Sequence, residues 1–184
     1  MKRDELRDVA ELPIDTVPRS VRRSILSLAR QVGVKVDLTR DPRKGWQWDG
    51  VRISAGRQNV DSVIHDIAHY VVCPKDRLHM KDFGLGRGPE SGSAKSLKRD
   101  AMAEAKDPAI NWKDSQAEEA MASALGIYYE FLLGIDPIWA LGEHNWIESG
   151  GFFAALSKVK RGPVRVSMVR QLKKYTDEKD LGIL

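Results

Sequence analysis

The chain has 184 residues, 42% of them hydrophobic and 30% charged, with a formal net charge of +4. That length and balance fit one globular domain large enough to bury a core. They exclude a transmembrane chain, since no apolar run reaches the roughly 18 residues a span needs, and charges of both signs are mixed rather than gathered into a nucleic-acid footprint.

In chain order, residues 2–12 read as a short charged helix stopped before Pro13. The charged start lacks the apolar stretch of a secretory signal, and the single Cys73 excludes an internal disulfide, so a cytoplasmic setting is expected. Cys73 itself reads as a small buried hydrophobe. Pro18, Arg19 and Ser20 open a helix with Val21, Ile25, Leu28, Ala29 and Val32 on one face, and Gly33 ends it. Its arginines, Arg19, Arg22, Arg23 and Arg30, form the wet face.

Alternation over 34–38 predicts a strand, and 46–54 predicts a second strand or a small hairpin broken at Asp49-Gly50. Asn59 or Asp61 is placed to cap the next helix. Beyond Pro74, the long segment 85–114 is expected to be a mobile lid. Asp114 or Ser115 caps a further helix over 116–133, whose Ala117, Ala120, Ala122 and Ala124 allow close approach of a neighbour. Short helices are expected over 152–158 and from Val164 onward, with the tail from Thr176 loosely held. The fold class expected is α+β: a mostly helical single domain over 1–184 with a small β-sheet.

The chemistry gathers in Val63-Ile64-His65-Asp66-Ile67-Ala68-His69-Tyr70-Val71-Val72. Apolar residues at Val60, Val63, Ile64, Ile67, Ala68 and Val71 mark a helix with one face in a core. On it His65 and His69 stand one turn apart on the same side, about 5–6 Å between Cβ atoms, where two imidazoles can share one metal ion. A lone pair at this spacing is as compatible with two hydrogen-bonded structural histidines. Burying two imidazoles on an apolar helix, however, is costly unless something satisfies them.

A third ligand is needed, with an open position for water or substrate. Candidates are Glu118, Glu119, His79 and His144. Glutamates on a second, antiparallel helix are the usual companions of a zincin-like histidine helix, so Glu118 is the first choice and Glu119 the alternate. Two histidines and a carboxylate suit either zinc or ferrous iron. Asp66 is the candidate catalytic base, but aspartate is about 1.5 Å shorter than the glutamate that H-E-x-x-H hydrolases place there.

His65-Asp66-Ile67-Ala68-His69-Tyr70, then Arg77, then Asp82-Phe83-Gly84, resembles the elongation factor P hydroxylase family, which carries H-E-[IL]-A-H-W, a following arginine and D-F-G-Y. Gln116-Ala117-Glu118 and Ala124-Leu125-Gly126 are similar to its later segment. The chain departs at Asp66, Tyr70 and Leu85-Gly86. The resemblance implies a metal-dependent, monooxygenase-like enzyme acting on a modified lysine of a protein substrate. His65, His69 and Glu118 would be its ligands, with Tyr70, Arg77 and Asp82 at the substrate. A zinc metallopeptidase is the second reading, and a helical binding protein with structural histidines the third. Histidine–aspartate phosphohydrolases need an upstream histidine, and none precedes His65.

Overall fold

A computed structural model describes residues 9–40, 47–85 and 112–136. Most of the expected lid at 85–114, His144, and the helices expected over 152–158 and from Val164 lie outside the described residues, as do residues 1–8. Of the helix expected over 2–12, the described part is a 3-10 turn, Val9–Glu11, with Val9 and Ala10 buried.

Helix α1 spans Arg19–Val32 and buries Val21, Ile25 and Ala29, residues four apart that fall on one face. Gly33, at φ +90°, ends it, and the N–H groups of Gly33 and Val34 both reach the Ala29 carbonyl. This left-handed stop suits a residue without Cβ. Arg19, Arg23 and Arg30 face outward.

Strands β1 (Val36–Asp37) and β2 (Ile53–Ser54) form a two-stranded parallel sheet, with Val36 opposite Ile53. An antiparallel bridge from Trp48 to Ile53 closes the small hairpin expected at Asp49-Gly50. The Asp49 carboxylate accepts hydrogen bonds from the N–H groups of Val51 and Arg52 at 3.0 and 2.9 Å. Gly50 has φ +91°, and a Cβ there would lie 2.4 Å from the His79 carbonyl oxygen. Gly50→Ala is therefore expected to lower stability by about 1–3 kcal/mol, read as a lower midpoint in a denaturant titration. An unchanged midpoint would show that the backbone yields there freely.

Helix α2 (Val60–Val72) carries the two histidines and buries Val60, Val63, Ile64, Ile67 and Ala68. Asn59 occupies the expected cap position, but its side chain makes no capping bond. Helix α3 spans Trp112–Leu133. It starts earlier than expected, so Asp114 and Ser115 lie inside its first turn rather than before it. Its end is as expected: Gly134 has φ +73°, and the Ile135 N–H bonds to the Glu130 carbonyl.

α2 packs chiefly on α3, and α1 lies against both. His69 meets Glu119, while His65 meets Ser123 and the backbone at Gly126, so the two helices run antiparallel. A Cβ at Gly126 would stand 3.5 Å from the His65 Cα, so the helices approach closely where the histidines sit. Ala120, Ala122 and Ala124 are buried along the same helix. No helix among the described residues is long and apolar enough to cross a membrane. Among the described residues the architecture is mostly helical with a small sheet, as the α+β expectation has it.

Candidate metal centre

Helical phase puts His65 and His69 on the face of α2 that meets α3. Their rings lie edge to face, with centroids 4.6 Å apart. The partner across the interface is Glu119, not Glu118. Glu119 Oε2 is 2.9 Å from His69 Nε2 and 3.8 Å from His65 Nε2. One ligand atom from each of the three lies within 4.8 Å of the others. Donors around one ion with bonds of about 2.1 Å stand roughly 3–3.5 Å apart, and the two distances to Glu119 bracket that spacing. Two imidazoles and a carboxylate could thus hold one divalent ion.

Burial and charge differ between the two rings. His69 has 5% of its side chain exposed and His65 has 29%, so the group opens on the His65 side. Burial together with its neighbour His69 pushes His65 down to about 4, against the pull of Glu119, so it is neutral near pH 7. Burial also opposes a charge on His69, but the Glu119 carboxylate and its hydrogen bond outweigh it and raise His69 to about 9. Glu119 is correspondingly held below the ordinary carboxylate range. His69 Nε2 and Glu119 thus form a hydrogen-bonded pair that favours a proton on the imidazole.

Glu118, the expected first-choice ligand, is corrected by this placement. Its carboxylate turns to the Arg77 guanidinium in a buried ion pair. Consecutive helix residues point about 100° apart, so only one of the two glutamates can face the histidines. Arg77, expected at the substrate, is instead enclosed: its other terminal nitrogen donates to the Phe83 carbonyl at 2.6 Å. Asp82 and Phe83 have φ of +48° and +54°, and Gly84 follows at +73°. Left-handed backbone costs a residue with a Cβ about 1–2 kcal/mol, so this turn persists because its surroundings hold it. Asp82, another expected substrate residue, forms part of that turn, and its N–H bonds to the Trp48 carbonyl at 2.9 Å. Tyr70 is half-buried with its ring edge-on to Trp48.

Asp66 does not join the histidine group. It is buried and accepts a 3.4 Å hydrogen bond from the Gln58 amide. Burial, helped by Asp82 and Glu119, lifts it from 3.8 to about 7 against the pull of His69 and Gln58. His79 lies exposed, away from the group. Cys73 is buried as expected, and burial together with Glu118 pushes its thiol up to about 12, which removes it as a nucleophile.

Three further features were not anticipated. The Phe83 ring stacks on His69 at 5.4 Å and 18°, and on its other neighbour, Trp48, at 5.0 Å and 5°. Ser123 Oγ lies 3.3 Å from His65 Nε2. Glu130, 1% exposed, keeps one carboxylate oxygen without a hydrogen-bond partner among the described residues, and burial next to Asp61 and Asp136 raises it well above its ordinary value. Glu119, Ser123 and Glu130 are spaced four and seven residues apart, which places them along one stripe of α3. No family model, curated protein or solved structure matches the chain.

Proposed function

We propose that the chain is a metal-dependent enzyme holding one divalent ion, iron or zinc, at His65, His69 and Glu119. Its activity on this reading is hydroxylase-like, with a lysine-derived side chain of a protein as substrate, as its resemblance to the elongation factor P hydroxylase family implies. The observation that carries the metal is the convergence of two imidazoles and one carboxylate across the α2–α3 interface. A triad of two histidines and one carboxylate with open positions suits ferrous iron and oxygen chemistry.

Asp66 favours oxidation over hydrolysis. A zincin-like peptidase needs a carboxylate at that position within hydrogen-bond reach of the attacking water. Here the carboxylate is buried against Gln58. Iron bound at the triad would supply dioxygen activation. The protein's own groups orient the ligands, and the more exposed His65 side is where substrate can approach. His69 and Glu119, being more enclosed, form the water-poor wall of the site.

Elemental analysis of protein purified without added metal tests this directly. About one equivalent of iron per chain is the expected result. One equivalent of zinc with peptide-hydrolysing activity would move the reading to the metallopeptidase. A metal-free protein that takes up neither ion would leave the histidines structural.

A further inference from the structure

The ring of His69 is oriented in an unusual way for a metal ligand. A coordinating histidine ordinarily donates its second ring N–H to a carboxylate, carbonyl or water, and that bond fixes the plane of the ring. His69 Nδ1 is buried and has no hydrogen-bond partner among the described residues. The contact that lies flat on the ring is instead Phe83, stacked at 5.4 Å and 18°. Phe83 is 2% exposed and also stacks, at 5.0 Å and 5°, on Trp48, whose indole N–H is tied to the Leu78 carbonyl at 2.9 Å. Moving Phe83 away from His69 would also disturb its stacking on Trp48.

Phe83 reaches this position only through a left-handed backbone, which a residue with a Cβ does not adopt unaided. Arg77 supplies the restraint. One terminal nitrogen of its guanidinium bonds to the Phe83 carbonyl, and the other pairs with Glu118 on α3. Glu118 directly precedes Glu119, the carboxylate that faces His69. A single buried guanidinium thus joins the turn that carries Phe83 to the helix that carries the third candidate ligand.

We propose that Arg77 and Phe83 are positioning residues for His69: Arg77, anchored on Glu118, holds the Asp82–Gly84 turn so that the Phe83 ring sets the plane of the imidazole toward Glu119 and His65. This inference rests on the metal reading and deepens it. It assigns to an aromatic face the orienting role that a hydrogen bond fills at most histidine ligands, and it gives the left-handed turn a reason to exist. The planar, two-pronged guanidinium matters here, because a lysine ammonium at the same place cannot hold the two partners in fixed directions.

The test uses Co²⁺ as a probe, with its affinity measured by competition against a chelator and its visible d–d bands as a reporter of ligand geometry. Phe83→Leu keeps an apolar side chain in the core but removes the flat face. Arg77→Lys keeps the charge but loses the fork. Each is expected to weaken Co²⁺ binding by about 10–100-fold, the range typical of lost outer contacts to a ligand, and to shift the bands. Ile25→Val, a core change on α1, is the control for stability alone and should leave affinity and spectrum unchanged. Wild-type affinity and spectrum in both Phe83→Leu and Arg77→Lys would overturn the positioning role while leaving the metal site standing. Equal losses in Ile25→Val would overturn it too, by showing that any loss of stability suffices. If wild-type protein binds Co²⁺ no better than Glu119→Gln does, the metal reading falls and this inference falls with it.

Discussion

Glu119→Gln is expected to strip the protein of metal, whereas Glu118→Gln keeps it. Removing the carboxylate that stands 2.9 Å from His69 leaves two neutral nitrogen donors on one helix and nothing to close the site from the other. The loss in affinity should be at least about 100-fold, close to 3 kcal/mol, and metal content after desalting should fall to background. Glu118→Gln acts elsewhere. It leaves the buried guanidinium of Arg77 without a compensating charge, a kind of change that costs about 3–5 kcal/mol when a buried pair is broken outright. Glutamine can still accept one hydrogen bond, so the lower end of that range is expected, seen as a fall in the unfolding midpoint. Because Arg77 is anchored on Glu118, some metal affinity is lost as well, about tenfold, but the three ligands remain and the protein keeps its metal. The two substitutions thus separate: one empties the site, the other loosens the fold. Metal loss in Glu118→Gln with retention in Glu119→Gln would reverse the assignment of the third ligand.

Asp66→Asn is expected to make the metal-free protein more stable at pH 8 and to change little near pH 4. The sign follows from the direction of the shift. Burial lifts the Asp66 carboxyl from 3.8 to about 7, so the folded state favours the protonated acid. A group raised on folding contributes its full stability below the unfolded value and loses it as pH climbs through the folded one. Between about pH 4 and 7 the wild-type protein therefore forfeits stability, up to about 4 kcal/mol as an upper bound. Asparagine has no proton to lose and escapes that slope. A gain of about 2 kcal/mol at pH 8 corresponds to a midpoint higher by roughly 4–8 °C for a chain of this size. The gap between variant and parent should widen from pH 4 to 7 and then level off. Parallel curves across that range would mean that Asp66 is not buried as an acid. Metal content should be unaffected, because the carboxylate faces Gln58. An Asn variant that loses metal or a peptide-cleaving activity would return Asp66 to the reaction.

The histidine pair and its helix could be read directly from the chain. Their spacing and the apolar positions around them express one local rule, the 3.6-residue turn, and α2 obeys it from Val60 to Val72. The same holds for the stops at Gly33 and Gly134, where a residue without Cβ meets a left-handed backbone. The strand at Val36–Asp37 and the hairpin at Asp49-Gly50 were likewise legible from alternation and turn chemistry. The start of α3 was not. Asp114 and Ser115 have the chemistry of caps, yet the helix begins at Trp112.

Which glutamate faces the histidines was a different kind of question. Glu118 and Glu119 are adjacent, equally acidic and equally near the start of α3, so their order in the chain cannot rank them. Their ranking depends on the rotation of α3 about its axis, and that helix gives little local guidance, since every residue from Ala122 to Glu130 is buried. Rotation was decided by packing: Gly126 lets α3 close on His65, and Arg77 claims Glu118 from a position 41 residues away. The stacking of Phe83 on His69 and the enclosure of Asp66 by Gln58 are contacts of the same order. Local sequence sets the period of a helix and the identity of its polar positions. Which of those positions meet each other depends on close packing between distant segments, a property of the folded whole.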